Sequence, residues 1–176
     1  MTEGRVTAPG SGERPLRVLG VDPGLANLGL GAIEEVRRDA RLLGSRLVTT
    51  SSRQEQSERL LTLRRELLSF IALHKPDVMA IEGQFLRRQP QTSFLVGQAV
   101  GVVLVTAAEA GLPVFEYGPE VVKRSLVGNG RADKTQVAFM VRALLKLTAA
   151  PEANHETDAI ALALTHLQAR RLGALS

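Results

Sequence analysis

The stretch VLGVDPGLANLGLGAIE, residues 18–34, decides how the rest of the chain is interpreted. An apolar run leads directly into one carboxylate, Asp22, and Pro23-Gly24 follows at once. Because Pro and Gly interrupt strands, the run predicts a buried strand that ends at its only charge. Asp is depleted in strands and costs free energy when it is buried. The position of this carboxylate therefore needs an explanation from elsewhere in the sequence.

The remaining elements predict an α/β domain. Strands are predicted at 16–21, 28–36 and 42–50, and their tight connections favour an antiparallel meander. Apolar periodicity and turn residues then predict helix 55–74, strand 77–82, helix 92–110, strand 113–117, helix 119–126, a helix capped by Asp133, and helix 155–171. Strand–helix–strand units give parallel neighbours. We expect a five-stranded mixed sheet with helices on both faces, in one domain at 16–170 between tails at 1–15 and 171–176.

Composition limits the function classes. The chain has 176 residues and no cysteine, which excludes disulfides and thiolate metal sites and fits a reducing cytoplasm. No apolar run has the about 18 residues of a membrane helix, and the first 16 residues lack the apolar segment of a signal peptide. The net charge is +4, and the basic residues occur mostly in pairs, which favours a polyanionic partner. An aromatic fraction of only 3% argues against a base-stacking platform.

Three carboxylates lie at the ends of predicted elements. Asp22 ends the first strand, Glu82 ends the strand at 77–82, and Asp158 follows His155 by three residues at the start of the last helix. Sites in open α/β sheets form at the carboxyl ends of parallel strands, and residues three apart share a helix face. Crowded carboxylates repel one another unless a cation lies among them, and oxygen ligands select Mg²⁺ or Mn²⁺. The pattern indicates two divalent cations and hydrolysis of a phosphodiester.

Each acid also has a structural interpretation. Asp22 would cap the turn at Pro23-Gly24, Glu82 would pair with an arginine, and Asp158 would interact with a helix dipole. Other ionisable residues lack this context. We interpret two histidines, His74 and His166, as structural or solvent-facing, and three acids, Glu34, Glu35 and Glu66, as solvated.

The glycine-rich segment VGNGRADKTQ, residues 127–136, has two interpretations. It is not a Walker A sequence, because Asp133 rather than glycine precedes Lys134. In one interpretation its amides hold a nucleic-acid phosphate together with Arg131 and Lys134. In the other it is a helix entry, since Asp133 and Gln136 have the spacing of a capping box.

With these residues in view, the chain resembles the RuvC family of Holliday junction resolvases, within the RNase H-like superfamily. The resemblance spans about 16–167 and is carried by VLGVDPG, PDVMAIEGQF, LVGQAVGV, PVFEYGPEVVKRSLVGNGRADKTQV and ETDAIALALTH. It implies an RNase H-like fold and a crossover junction endodeoxyribonuclease that nicks four-way DNA junctions symmetrically in recombination and repair. It also implies a homodimer and a branch-migration complex of the RuvA and RuvB type. The helix at 92–110 is then the candidate dimer interface, although a buried core helix would explain its sequence nearly as well. Its residues Gly97 and Gly101 allow another backbone to approach closely.

The resemblance assigns roles to individual residues. The family's metal-binding carboxylates match Asp22, Glu82 and Asp158, and His155 lies where members have aspartate or histidine. Basic residues near the scissile phosphate match Lys123 and Lys134. DNA contacts are expected from Phe85, Arg87, Arg88, Arg124 and Arg131, with Phe85 at the crossover point, although Phe85 would equally anchor its loop.

Two features distinguish this chain from many members of the family. Many members have Thr-Gly-Tyr-Gly where this chain has Leu28-Gly29-Leu30-Gly31, and His155 supplies nitrogen in place of oxygen. Because nitrogen ligands suit softer ions, we predict that Mn²⁺ activates the enzyme better than Mg²⁺.

Two other function classes remain open. Nucleotide-binding folds of the actin and sugar-kinase type also carry an aspartate and glycines in their first hairpin, but the second glycine-rich phosphate loop of those proteins is absent. A junction-binding subunit without catalysis is the other alternative, although every acidic ligand position is filled.

Overall fold

The computed structural model describes residues 14–83, 90–149 and 154–173, without the side chains of 90–93. Within these residues the elements follow in the order β1 (Arg17–Asp22), β2 (Asn27–Val36), β3 (Asp39–Thr49), α1 (Gln56–His74), β4 (Val78–Glu82), α2 (Pro90–Glu109), β5 (Val114–Tyr117), α3 (Pro119–Val127), α4 (Lys134–Leu145) and α5 (Asn154–Arg171).

The strands form one mixed sheet in the order β3-β2-β1-β4-β5. β1, β2 and β3 pair antiparallel, whereas β4 pairs parallel with both β1 and β5, which confirms the predicted sheet. β3 begins three residues earlier than predicted, at Asp39. The reason is that Arg37 and Arg38 alone make the turn, with positive φ angles of 49° and 75°. Positive φ at both central residues is typical of a two-residue type I′ hairpin.

Strand alternation directs the strand-end carboxylates to one face of the sheet. In β1, Leu19 and Val21 pack in a core with α1 and α2, whereas Val18 packs in a second core with α3, α4 and α5. β4 repeats the pattern, with Met79 and Ile81 on the first face and Val78 and Ala80 on the second. Because side chains alternate with a period of two, the last residues of both strands point toward α5.

Glycines allow α5 to lie directly on the sheet. A Cβ atom at Gly20 would lie 1.7 Å from the carbonyl oxygen of Ala159, and one at Gly29 would lie 2.0 Å from that of His155. Gly31 stands opposite Gly20 in register and also lies beneath α5. Backbone contacts therefore fix the distance between the start of α5 and the end of β1.

The prediction that Glu34 is solvated was wrong. Glu34 is only 3% exposed, and its carboxylate accepts hydrogen bonds from Arg17 at 3.2 Å and Arg41 at 2.6 Å. Desolvation raises the pKa of Glu34, but the two guanidinium groups outweigh it and hold the pKa below its usual value. The prediction failed because Glu34, within the strand predicted at 28–36, lies opposite Arg17 in register, and the sequence of β2 does not show this cross-strand partner. Glu35 and Glu66 remain partly exposed, and both form ion pairs.

Some predictions concern residues outside the described ranges. They are the tail segments 1–13 and 174–176 and the proposed DNA contacts Phe85, Arg87 and Arg88. Arg14, the first described residue, forms an ion pair with Asp77. Among the described helices, none has the length and apolar character needed to cross a membrane.

Candidate active site

Four predicted metal ligands lie around one end of the sheet. Asp22 and Glu82 are the last residues of β1 and β4, which are parallel neighbours with Val21 opposite Ile81. α5 crosses this face and begins at Asn154, so that His155 and Asp158 lie at the same end. The structure therefore brings together side chains that are more than 130 residues apart in the chain, as the 133-residue separation of Asp22 and His155 illustrates.

Asp22 is buried and bound to His155. The Asp22 Oδ2 atom lies 2.6 Å from His155 Nδ1, and the residue is 8% exposed. Burial raises the pKa of Asp22, and the hydrogen bond and charge of His155 oppose this rise. The hydrogen-bond partner of the carboxylate is the imidazole of α5, which favours a role in the site over a cap for the Pro23-Gly24 turn.

Glu82 is the most perturbed carboxylate of the site. Desolvation, with the charges of Asp22 and Asp158, raises the pKa of Glu82 to about 7, and Lys134 opposes the rise. None of the arginines in the described part of the chain forms an ion pair with Glu82, so the structural interpretation of this residue lacks support. A carboxylate half protonated near neutral pH, next to two others, is the electrostatic environment that a bound cation relieves.

Two lysines line the same cleft as the acids. The cleft has a volume of about 220 Å³, and its wall includes Glu82, Lys123, Lys134 and Asp158. Lys134 Nζ lies 3.2 Å from Asp158 Oδ2, and its side chain is 77% exposed. Lys123 comes from α3 and Lys134 from the first turn of α4, so two helices deliver positive charge opposite the carboxylates.

The glycine-rich segment is a connection between α3 and α4. The amide of Arg131 donates to the side chain of Asn129 at 3.0 Å. Asp133 and Gln136 form the predicted capping box, with bonds of 3.0 and 2.8 Å. Because these amides already have partners within the segment, the helix-entry interpretation fits the structure better, and phosphate contact is left to side chains. Arg131 and the candidate Arg124 are both exposed.

The donor chemistry of the site fits divalent cations. A cation here would be held by Asp22, Glu82, Asp158 and His155, which offer hard oxygen donors and one imidazole nitrogen. In the described residues no three such side chains are already gathered around a common point. Instead, Asp158 is paired with the ammonium of Lys134 and Asp22 with the imidazole of His155. Lys134 and His155 are therefore the partners of these two carboxylates, at positions where a bound cation would otherwise lie.

The segment Leu28-Gly29-Leu30-Gly31, which differs from the sequence of many family members, does not alter the sheet face that carries the site. Leu28 and Leu30 are fully buried in the core beneath α1 and α2, away from Asp22. Gly29 lies opposite Asp22 in register and beneath α5. The two leucines therefore add apolar packing on the far side of the sheet.

A buried pair beside the site was missed from the sequence. Tyr117 Oη lies 2.9 Å from His166 Nδ1, and Tyr117 is the register partner of Glu82. His166 is 3% exposed, burial lowers its pKa, and its ring lies 4.7 Å from that of Phe115. The structural interpretation of His166 is confirmed, and the pair ties α5 to the strand next to Glu82. Its sequence signal was the alternation of β5, which directs Phe115 and Tyr117 to the same face.

Comparisons with known proteins agree on one family. Residues 18–166 match the family model for crossover junction endodeoxyribonuclease RuvC. The chain is 43% identical to the protein of that name from Thermus thermophilus, over 89% of this chain and 96% of that one. It is 45% identical to the one from a Roseiflexus species, over 87% of this chain and 91% of that one.

Solved structures give the same result. The structure of T. thermophilus RuvC in complex with Holliday junction substrate superposes with a TM-score of 0.85 at 43% identity, covering 90% of this chain and 96% of that one. The yeast mitochondrial Holliday junction resolvase has a TM-score of 0.59 at 12% identity, covering 88% of this chain and 80% of that one, which shows a shared fold alone.

Proposed function

The chain belongs to the RuvC family of crossover junction endodeoxyribonucleases, and from this membership we propose that it resolves four-way DNA junctions in recombination and repair. The reaction is paired hydrolysis of two strands of like polarity. The observation that carries the proposal is that Asp22 and Asp158 lie close enough to Glu82 to raise its pKa, while Glu82 and Asp158 line a cleft together with Lys123 and Lys134. The T. thermophilus relative, solved with a junction, supports the choice of substrate.

The carboxylates and His155 are proposed to hold two divalent cations. Bound there, the cations would supply Lewis-acid chemistry for hydrolysis and neutralise the carboxylates. The chain's own residues position this charge, since β1 and β4 are rigid supports for Asp22 and Glu82 and backbone contacts fix α5. Water attacks the phosphorus atom and the bond to the 3′ oxygen breaks, which leaves a 3′-hydroxyl and a 5′-phosphate.

The lysines are proposed to stabilise charge on the phosphate. Lys134 is paired with Asp158 at 3.2 Å, and its mostly exposed side chain is free to turn toward a phosphate once that carboxylate has another partner. Lys123 lines the same cleft. Ammonium groups close to the non-bridging oxygens stabilise the negative charge of the transition state. Arg124 and Arg131 extend this positive surface outside the cleft.

A homodimer with two equivalent sites is proposed to produce the paired nicks, with α2 as its seam. Phe94 is 66% exposed and Val105 57% exposed on this helix. Apart from the backbone of α2 itself, no described atom lies within 4 Å of a Cβ built at Gly97 or Gly101. These glycines would therefore admit the backbone of a second molecule, although Ala99, Val103 and other α2 residues also form part of the core. We also propose a cytoplasmic location and cooperation with a branch-migration complex.

A nicking assay on a synthetic four-way junction tests the proposal. Each strand carries a label in turn, Mg²⁺ and Mn²⁺ are compared, and EDTA serves as the cation-free control. We expect symmetric nicks that ligase reseals, and no cleavage of linear duplex DNA. Junction binding without nicks in either metal would favour a non-catalytic junction-binding subunit. ATP-dependent phosphorylation of a sugar would favour the kinase-type alternative.

A further inference from the structure

A surface at the opposite end of the sheet from the carboxylates combines exposed apolar and basic side chains. Two adjoining grooves of about 320 and 530 Å³ meet at Lys146. We call them together the distal groove, and its main lining residues are Phe139, Arg142, Ala143 and Leu147 from α4 and its end, and Val36, Arg37, Asp39, Ala40 and Arg41 from the β2–β3 hairpin. Along α4, Lys134 in the cleft lies about 8 Å from Phe139, the groove residue nearest to it in the chain, and about 18 Å from Lys146, where the two grooves meet.

The groove includes an exposed apolar side chain of α4. Phe139 is 66% exposed and belongs to neither core cluster. Ala143 lies one turn later on the same helix face, and Leu147, just past the end of α4, also lines the groove. Val36 continues this apolar surface on the hairpin and is 37% exposed. An exposed phenylalanine in a concave apolar setting is typical of an interaction site.

The charge of the groove is positive. Its two acids already have partners, Asp39 with Lys146 at 2.7 Å and Glu34 with Arg41 at 2.6 Å. Arg37 and Arg142 form no ion pair with any described residue. A ligand would therefore meet uncompensated guanidinium groups in both grooves, Arg142 in the one that contains Phe139 and Arg37 in the one that contains Val36.

We infer that the distal groove binds an acidic, apolar segment of a partner protein. Carboxylates of the segment would pair with Arg37 and Arg142, and its apolar side chains would cover Phe139 and Leu147. Duplex DNA would satisfy the cations but leave Phe139 in water, because phosphate contacts come from basic and polar groups. This inference does not depend on the proposed nuclease activity.

The test uses a fluorescein-labelled peptide rich in Glu, Leu and Phe, with anisotropy as the readout. We expect the double variant Phe139→Ser, Arg142→Glu to weaken binding at least about tenfold. The matched control Leu73→Ser, Arg65→Glu changes an equally exposed position on α1 and should bind like wild type. Junction nicking should be the same in all three proteins.

Further measurements separate the alternatives. In wild-type protein, the peptide should shift the backbone amide resonances of 36–41 and 139–147. The inference is overturned if a peptide of equal charge with Ser in place of Leu and Phe binds equally well, or if those amides do not shift. It is also overturned if short duplex DNA loses affinity for the double variant by the same factor, which would assign the surface to nucleic acid.

Discussion

Glu82→Gln should stabilise the cation-free protein while abolishing cleavage. The pKa of Glu82 rises from 4.5 to about 7 on folding, a difference of about 2.5, chiefly through desolvation and the charges of Asp22 and Asp158. One pKa unit corresponds to about 1.36 kcal/mol, which gives an upper value of about 3.4 kcal/mol. Because water still screens this partly exposed carboxyl group, we expect about 1–2 kcal/mol in practice.

The sign of the pH dependence follows from proton binding. Well below pH 4.5, Glu82 is protonated in both the folded and the unfolded state, and the Glu82→Gln substitution changes little. As the pH rises toward 7, the unfolded chain releases its proton first, so the wild-type free energy of unfolding falls while that of the variant does not. The stabilisation by Glu82→Gln should thus grow by about 1 kcal/mol between about pH 5 and pH 8.

Urea denaturation in EDTA at both pH values measures this difference. Glu120→Gln, the same change at an exposed position of α3, is the matched control and should show no such growth with pH. Adding Mn²⁺ should reverse the order, because wild type then has the better ligand set. A stabilisation that is the same at both pH values, or absent, would refute the argument that crowding of carboxylates perturbs Glu82.

Three further outcomes are expected. Asp22→Asn should abolish nicking in the junction assay. Its affinity for the junction, measured by gel shift in EDTA, should stay within about threefold of wild type, because the phosphate contacts come from basic residues elsewhere. A parallel loss of binding would assign Asp22 to folding. The wild-type protein should cleave faster in Mn²⁺ than in Mg²⁺, and His155→Asp should shift this metal preference toward Mg²⁺. Equal wild-type rates in the two metals, or an unchanged metal preference in the variant, would contradict a ligand role for His155. Gly20→Ala places a Cβ 1.7 Å from a carbonyl oxygen of α5 and should lower the free energy of unfolding in urea denaturation by about 3 kcal/mol or more, and a change of less than about 1 kcal/mol would contradict the backbone contact.

The sequence predicted those parts of the fold that depend on local pattern. Continuous apolar runs in β1 and β4 and the Pro-Gly turn were sufficient to place Asp22 and Glu82 at strand ends, and the capping box at Asp133 predicted the start of α4. These signals act over a few residues and need no knowledge of the partner strand. The sheet class followed from them once the order of strands and helices was known.

What escaped prediction depends on register between distant segments. Glu34 was misjudged because its burial requires Arg17 opposite it in β1. The direct contact between Asp22 and His155 depends on how far α5 descends onto the sheet, which the sequence expresses only as glycines in strand interiors. The roles of Asp22, Glu82 and His155 remain predictions that the experiments above test, and those of the lysines and arginines in catalysis and DNA contact remain predictions as well.

The glycine contacts beneath α5 have a consequence for variation of the protein. Because main-chain atoms of the helix touch main-chain atoms of β1 and β2, side-chain volume does not determine the separation between them. Mutational drift in the apolar core, or its deliberate redesign, should therefore leave His155 and Asp158 at the same height above the strand ends. Selection on chemistry and selection on core packing are in this way largely uncoupled, as long as Gly20 and Gly29 are kept.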